Sequence, residues 1–383
     1  MSKPTEQQIV DTFATLCKKR KLNPRKSEGL LVPYFVSEFN RLMEHRELNN
    51  MVNTDFDALA EKGWYQNAVA ARVNDMRKVD SGWHSTVFEM LVEVFAHPPT
   101  DLEQAYRQMI GEVKEFLVNS LDLKIDNLVI TYFGGGEVLP SVNLESDEIL
   151  KSYWLKTGIK EKNIIPIQGP KNYMLMAGEK ERCGPTCEII YNFSLPDGTT
   201  KSLEIGTVIF NSHRIRHNSA SEKWSIEQAP TIVTGVAYGL GRLLCAIYQK
   251  NLTETPVMES SLKTIHPFVK NSPAAFPFTI SDEIVLADQL KTVIFLLAFG
   301  IKTNSSPQGK IMNTIIRRAR RKIAALNIVN WKEMPKEFEA AILSQYQNRY
   351  PEIRTVEGEI LTLLERIEWP TGWNPDSYDP TKL

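Results

Sequence analysis

A Gly-Pro corner that feeds a β-branched run constrains this chain more than any other segment. Cys183-Gly184-Pro185-Thr186-Cys187-Glu188-Ile189-Ile190-Tyr191 sets a rigid turn ahead of a strand. Leu203-Glu204-Ile205 then places an acid on a second strand-like run. Thr234-Gly235-Val236-Ala237-Tyr238-Gly239-Leu240-Gly241-Arg242 ends a third stretch in a glycine-rich turn closing on an arginine. Glycines let a backbone approach a ligand, and a planar guanidinium can pair a phosphate or stack on a base. Together the three segments sketch a nucleotide site. A structural arginine at the end of an ordinary turn is the plainer reading of the last one.

The periodicity along the chain predicts an α+β fold with an antiparallel sheet flanked by helices, followed by an all-α region. Helices are expected over residues 5–20, from Leu30 to His45, and from Asp101 to Leu121, the last entered through Pro98-Pro99-Thr100-Asp101. Leu128-Val129-Ile130-Thr131-Tyr132-Phe133 changes the period to two, as do Cys187–Phe193 and Ser202–Phe210, with Pro196-Asp197-Gly198 as the turn between the latter pair. Beyond about residue 265 only helical patterns remain: Asp282–Phe299, Ile311–Leu326, Pro335–Tyr346 and Val356–Ile367. Pro256, Pro267, Pro273 and Pro277 mark the change, so two domains are expected, 1–265 and 266–383. The tail from Trp369 to Leu383 reads as extended.

At 383 residues and net charge −1, the chain carries no global basic excess of the kind that favours nucleic acid, so any such surface must be local. Arg317-Arg318-Ala319-Arg320-Arg321, extended by Lys310 and Lys322, is the local candidate; a solvated helix face is the alternative. Val293 to Phe299 is too short an apolar run to span a bilayer, and Met1 to Arg20 has no signal-peptide core. Four cysteines are too few for a disulfide scaffold, so no membrane association and a cytoplasmic location are expected. Cys183, Cys187, His213 and His217 also have a C-x₃-C, H-x₃-H spacing that a structural zinc could use, although they do not fall on one helix.

The order and wording of the motifs resemble the catalytic core of the alanyl-tRNA synthetase family, of class II. Trp83-His84-Ser85-Thr86-Val87-Phe88-Glu89-Met90-Leu91 is similar to the family's motif two, and the turn ending on Arg242 to its motif three. Val285–Leu290, Ala298–Ile301, the arginine-rich run and Tyr350-Pro351-Glu352-Ile353 resemble the start of its helical tRNA-recognition domain. The resemblance implies ATP and Mg²⁺ as cofactors and an acid activated as its adenylate. It implies that Arg72 and Arg242 handle phosphates, that Phe88 stacks on adenine beside His84, Glu89 and Gly239, and that Glu204 holds Mg²⁺. The substrate pocket maps onto Met174, Gly206, Thr207, Val233 and Gly235.

Departures from the family fall on that pocket. The acid that holds the α-ammonium of alanine is Val233, or Gly235 in an ungapped alignment. Two pocket tryptophans become Met174 and Gly206, which predicts a wider pocket. Gly241 stands where a Glu is usual, Trp83 where a basic residue is, and Ala70 where the motif-two arginine belongs. Removing one partner of a desolvated ion pair costs roughly 3–5 kcal/mol, so alanine is a poor candidate substrate.

The expected function is therefore ATP-dependent activation of a non-alanine amino or carboxylic acid. Transfer would go to a non-tRNA carrier, or to an unusual tRNA through residues 310–322. A non-catalytic paralogue that binds tRNA or a protein partner is the competing class, and alanine–tRNA ligation the third. The sequence ends before the family's remaining tRNA-binding helices, editing domain and C-terminal domain, so editing is not expected.

Overall fold

The computed structural model describes residues 3–25, 38–40, 45–175, 180–218, 223–269, 281–326, 328 and 330–366. In chain order the elements begin with α1 (Glu6–Lys19), β1 (Asn23–Pro24), β2 (Glu38–Asn40), α2 (His45–Asn53), β3 (Gly63–Arg72) and β4 (Val87–His97). There follow α3 (Leu102–Lys114), β5 (Leu128–Phe133), β6 (Gly136–Leu139), β7 (Val142–Leu144), α4 (Glu148–Lys156), β8 (Ile164–Ile167) and β9 (Tyr173–Leu175). Three long strands come next, β10 (Arg182–Ser194), β11 (Thr200–Asn218) and β12 (Lys223–Gly239). The rest is helical: α5 (Leu240–Tyr248), α6 (Pro256–Ile265), α7 (Ser281–Ala298), α8 (Pro307–Ala325), α9 (Met334–Tyr346) and α10 (Glu359–Arg366).

These elements form two compact units that interleave along the chain. The first comprises Met1–Ser27, Leu42–Ala68 and Met90–Gln249; the second comprises Glu28–Arg41, Val69–Glu89 and Lys250–Leu383.

The first unit is built on a sheet of order β1-β3-β4-β12-β11-β10-β5-β8, with β9 on β10. Its centre is antiparallel, as the strand-turn-strand pattern requires, but β1 runs parallel to β3 and β8 parallel to β5. The sheet is therefore mixed at its margins. Helix α1 starts on a capping box in which Thr5 and Gln8 exchange side-chain-to-backbone bonds. Its spaced apolar residues Ile9, Phe13 and Cys17 are buried, and Phe13 meets Phe116 edge-on at 5.2 Å and Tyr238 at 6.2 Å. At Gly184 a Cβ would lie 1.9 Å from the carbonyl oxygen of Phe210, so only glycine lets β10 pass this close to β11. That contact explains the Gly-Pro corner.

In the second unit, β2 pairs antiparallel with the end of β3, Asn40 opposite Ala70 and Glu38 opposite Arg72. The helix expected from Leu30 to His45 is thus interrupted by a strand; residues 30–37 and 41–44 lie outside the described residues. Helix α7 is buried over most of its length, its polar residues Glu283, Asp288, Gln289, Lys291 and Thr292 included, as a central helix is. Glu283 and Asp288 are the acids inside that stretch, and Asp288 accepts bonds from the Ser85 hydroxyl and the Thr86 amide, both at 2.8 Å. Helix α8 is amphipathic, with Ile311, Ile315, Ile316, Ala319 and Ile323 on its buried side. Pro273, Pro277 and the segment from Trp369 onward lie outside the described residues.

Candidate functional site

In the first unit, strand alternation collects the chemistry on one sheet face. Across β10 and β11, Glu188 stands opposite Thr207; across β11 and β12, Thr207 stands opposite Ala237 and Ile209 opposite Gly235. Glu188, Thr207, Ile209 and Ala237 are all half-buried, so this face is open, whereas Val208, Val236 and Tyr238 on the other face are buried. The Thr207 hydroxyl donates to the Glu188 carboxylate at 2.7 Å. Beside them, Arg242 in the first turn of α5 donates from Nη1 to the Glu204 carbonyl oxygen at 3.1 Å and lies 3.3 Å from its carboxylate.

Glu188 was not among the residues singled out in sequence. Its signal was present, since it lies inside the Cys-Gly-Pro segment, but the bulge between Ile189 and Ile190 decides that it meets Thr207 and neighbours Glu204. Burial pushes its carboxyl above the usual range, the Thr207 bond lowers it, and the Glu204 charge raises it again. Two neighbouring carboxylates suit a hard cation shared with phosphate oxygens. Among the described residues no group of three His, Cys, Asp or Glu could hold a metal by itself. Any Mg²⁺ on Glu188 and Glu204 would thus take further oxygens from a nucleotide.

The pocket residues separate by face. Val233 is fully buried and stands opposite Asn211. Met174, half-buried on β9, pairs with Gly184 and touches the Arg182 guanidinium, Nη1 to Sδ 2.9 Å. Thr207 lies on the open face, but Gly206 does not. Its position opposite Tyr238 puts it on the covered face, where a Cβ would lie 2.9 Å from the tyrosine ring. The wider pocket expected at Gly206 is therefore not formed; the Tyr238 ring fills that room. Gly235 has little space, since a Cβ there would lie 3.1 Å from the Glu93 carbonyl oxygen. Gly239 caps α5 with an ordinary φ of −78°, and a Cβ there would make normal contact with the Arg242 stem.

In the second unit, Arg72 and Phe88 come together: the guanidinium carbon lies 5.4 Å from the ring centroid. His84 Nδ1 is 3.3 Å from the Ser81 hydroxyl. Glu89 is engaged inside the protein. Its oxygens accept from Arg349 at 2.9 and 3.1 Å and from the Tyr350 hydroxyl at 2.9 Å, and it is 7% exposed. This carboxylate ties the start of β4 to the Tyr350-Pro351 segment.

Several cations of the arginine-rich helix also have internal partners. Arg320 donates to the Leu364 carbonyl at 3.2 Å and Lys322 pairs with Asp282 at 2.6 Å, while Lys310 is exposed. The Pro307-Gln308-Gly309 step is the capped start of α8, where the Ser306 hydroxyl accepts from the Gly309 amide at 3.1 Å. The zinc spacing does not assemble either. Cys183 pairs with His213 across β10 and β11, but buried Cys187 receives the Trp154 indole N–H, and His217 packs on Trp224 at 4.3 Å.

A family model described as tRNA synthetases class II (A) matches residues 63–369. The chain is 26% identical over 339 residues to an alanine–tRNA ligase of Schizosaccharomyces pombe, covering 82% of this chain and 34% of that protein. It is 28% identical over 263 residues to the cytoplasmic alanine–tRNA ligase of Drosophila melanogaster, covering 64% and 26%. The chain spans about one third of the length of the curated relatives it matches. Among solved structures, a putative threonyl-tRNA synthetase of Aeropyrum pernix aligns with a TM-score of 0.40 at 14% identity, over 75% of this chain and 68% of that one. No helix among the described residues is long and apolar enough to cross a membrane.

Proposed function

This chain belongs to the class II (A) tRNA synthetases, and from that premise we propose that it activates a carboxylic acid with ATP as an acyl-adenylate. The observation that carries the reading is the open sheet face on which Glu188, Thr207, Glu204 and Arg242 are held together. In the step itself a carboxylate oxygen of the substrate attacks the α-phosphorus, the bond to the β-phosphate bridge breaks, and pyrophosphate leaves. No protein nucleophile is required, so catalysis rests on positioning and charge.

Arg242 would pair phosphate oxygens, shifting from its contact with Glu204 as Glu204 turns to the cation. Glu188, oriented by Thr207, and Glu204 would hold Mg²⁺, which supplies charge neutralisation to the phosphates. Within the second unit by itself, the Arg72–Phe88 pair would offer a cation beside an aromatic face. Glu89, held by Arg349 and Tyr350, is withdrawn from the proposed nucleotide contacts. Val233 in place of the family's ammonium-binding acid supports an acid other than alanine.

The acceptor reading follows the same logic. Internal partners of Arg320 and Lys322 favour a carrier other than tRNA, with a weak tRNA contact confined to exposed cations such as Lys310. Measurement of ATP–pyrophosphate exchange across a panel of acids tests the proposal. Exchange with one non-alanine acid supports it, and exchange with alanine alone overturns the reading of Val233. Absence of both exchange and ATP binding would favour the non-catalytic paralogue, the reading to which buried Val233 also lends weight.

A further inference from the structure

Strand β10 changes neighbours along the edge that faces away from β11. Backbone pairing with β5 covers Tyr191 to Ile189, and pairing with β9 covers Pro185 to Cys183. Between these two stretches, Thr186 and Glu188 turn backbone groups to the same edge, and side chains meet those groups in place of a strand. The Asn172 side chain donates from Nδ2 to the Thr186 carbonyl oxygen at 3.1 Å and to the Thr131 hydroxyl oxygen at 2.8 Å. That hydroxyl oxygen also accepts from the Glu188 backbone amide at 3.1 Å. Asn172 is 2% exposed, and Thr131 is buried beside it. Because the Thr186 carbonyl can only accept, the nitrogen of the Asn172 side chain must face it.

Glycines hold Asn172 in this place. It ends a short turn, Pro170–Asn172, that follows Gly169 at a φ of 75° and a ψ of −164°, a conformation essentially confined to glycine. The Gly169 amide donates to the Gly135 carbonyl at 2.9 Å, and the Gly134 amide donates to the Ile167 carbonyl at 2.8 Å. A Cβ at Gly136 would lie 3.0 Å from the Gly169 nitrogen, so the two loops touch backbone to backbone. The Gly134-Gly135-Gly136 run thus supports the turn that presents Asn172 to β10.

On its other edge β10 carries Glu188 opposite Thr207 of β11, with the carboxylate accepting from the Thr207 hydroxyl at 2.7 Å. The register with β11 shifts just beyond, between Ile189 and Ile190, so strand pairing alone fixes Glu188 less firmly than a regular ladder would. We propose that Asn172 is a positioning residue for Glu188. With Thr131 it fixes the stretch of β10 from which the carboxylate turns toward Thr207 and toward the cation shared with Glu204. The assignment rests on the nucleotide and Mg²⁺ reading above and adds the residue that sets the geometry of its acid pair.

The test measures, on the full chain, the Mg²⁺ concentration that gives half-maximal ATP binding by calorimetry and half-maximal ATP–pyrophosphate exchange over the panel of acids. Asn172→Ala and Thr131→Val should each raise that concentration about tenfold, as removal of a group that supports a metal ligand does. Thr131→Ser keeps the hydroxyl and should recover most of the loss. In a Glu188→Gln background the Asn172→Ala effect on Mg²⁺ should vanish, because Asn172 acts through that carboxylate. Circular dichroism and melting curves are recorded for every variant, and the two Thr131 variants carry the comparison if Asn172→Ala does not fold. A lowered melting temperature with an unmoved Mg²⁺ dependence would make Asn172 merely structural and overturn the assignment. An Asn172→Ala effect that persists undiminished with Glu188→Gln would do the same. Mg²⁺-linked ATP binding that responds to Asn172→Ala, without exchange with any acid, would sink adenylation while sustaining the positioning role. Neither Mg²⁺-linked ATP binding nor exchange in the wild type would sink both.

Discussion

The hydroxyl of Thr207 donates to the carboxylate of Glu188 at 2.7 Å across a register pair of neighbouring strands. This bond aims a half-buried acid along the open face and opposes the rise in its pKa that burial and Glu204 cause. Thr207→Val keeps the shape and removes the donor. Exchange activity should fall about tenfold, the loss expected for a hydrogen bond to a charged group. With Glu188 harder to ionise, the acidic limb of the pH–rate profile should move to higher pH, and more Mg²⁺ should be needed for half-maximal rate. An unshifted acidic limb would remove Glu188 from the cation site.

Arg242 is the one cation in the first turn of α5 and lies against both the carbonyl and the carboxylate of Glu204. Arg242→Ala should cost about 10²–10³ in kcat/KM for ATP, and Arg242→Lys should recover little because an ammonium cannot reproduce the planar fork. Steady-state exchange at varied ATP measures both. Full activity in the lysine variant would reduce Arg242 to a point charge.

Glu89 and Arg349 are each 7% exposed in the ion pair that joins the motif-two strand to the Tyr350 segment. Arg349→Met leaves a buried carboxylate without its guanidinium, and urea unfolding should show a loss of about 3–5 kcal/mol. Glu89→Gln combined with Arg349→Met should recover part of that loss. If Glu89→Gln instead weakens ATP binding without lowering stability, Glu89 belongs with the nucleotide after all.

Glu93 is fully buried against Arg20 and Cys17, and burial lifts its carboxyl to about 7. The folded protein therefore keeps a proton that the unfolded chain releases near its ordinary value of 4.5. The stabilising contribution is full below pH 4.5 and is lost as pH rises through 7. The stability of the wild type relative to Glu93→Gln should fall by on the order of 3 kcal/mol between pH 4.5 and 8. His97, whose pKa burial lowers to about 4, acts in the opposite direction but is common to both proteins. Urea titrations of both at several pH values give the difference, and a difference independent of pH would contradict the protonated assignment.

Much of the fold was readable from local pattern. Helix α1 follows from its capping box and four-residue apolar spacing, and α7 to α10 from their period, because these signals act over one or two turns. The strand at Glu38–Asn40 was misread as helix because β2 exists through its pairing with β3, a contact that propensity does not encode. The parallel edges β1 and β8 were missed for the same reason.

For the candidate site, the sequence by itself determined the order of the motifs, the strand that carries Glu204 and the glycine turn that presents Arg242. Tertiary structure decided which side chains share a face. Bulges between Cys183 and Thr186 and between Ile189 and Ile190 shift the register, and a one-residue shift reverses the face of every side chain that follows. They put Glu188 on Thr207, while pairing with β12 turns Gly206 toward Tyr238. Contacts distant in sequence did the rest: Arg349 engages Glu89, and Asn211 with Met174 receives the Arg182 guanidinium. Residue type and spacing name the candidate groups, but burial and pairing across strands fix their partners and therefore their charge.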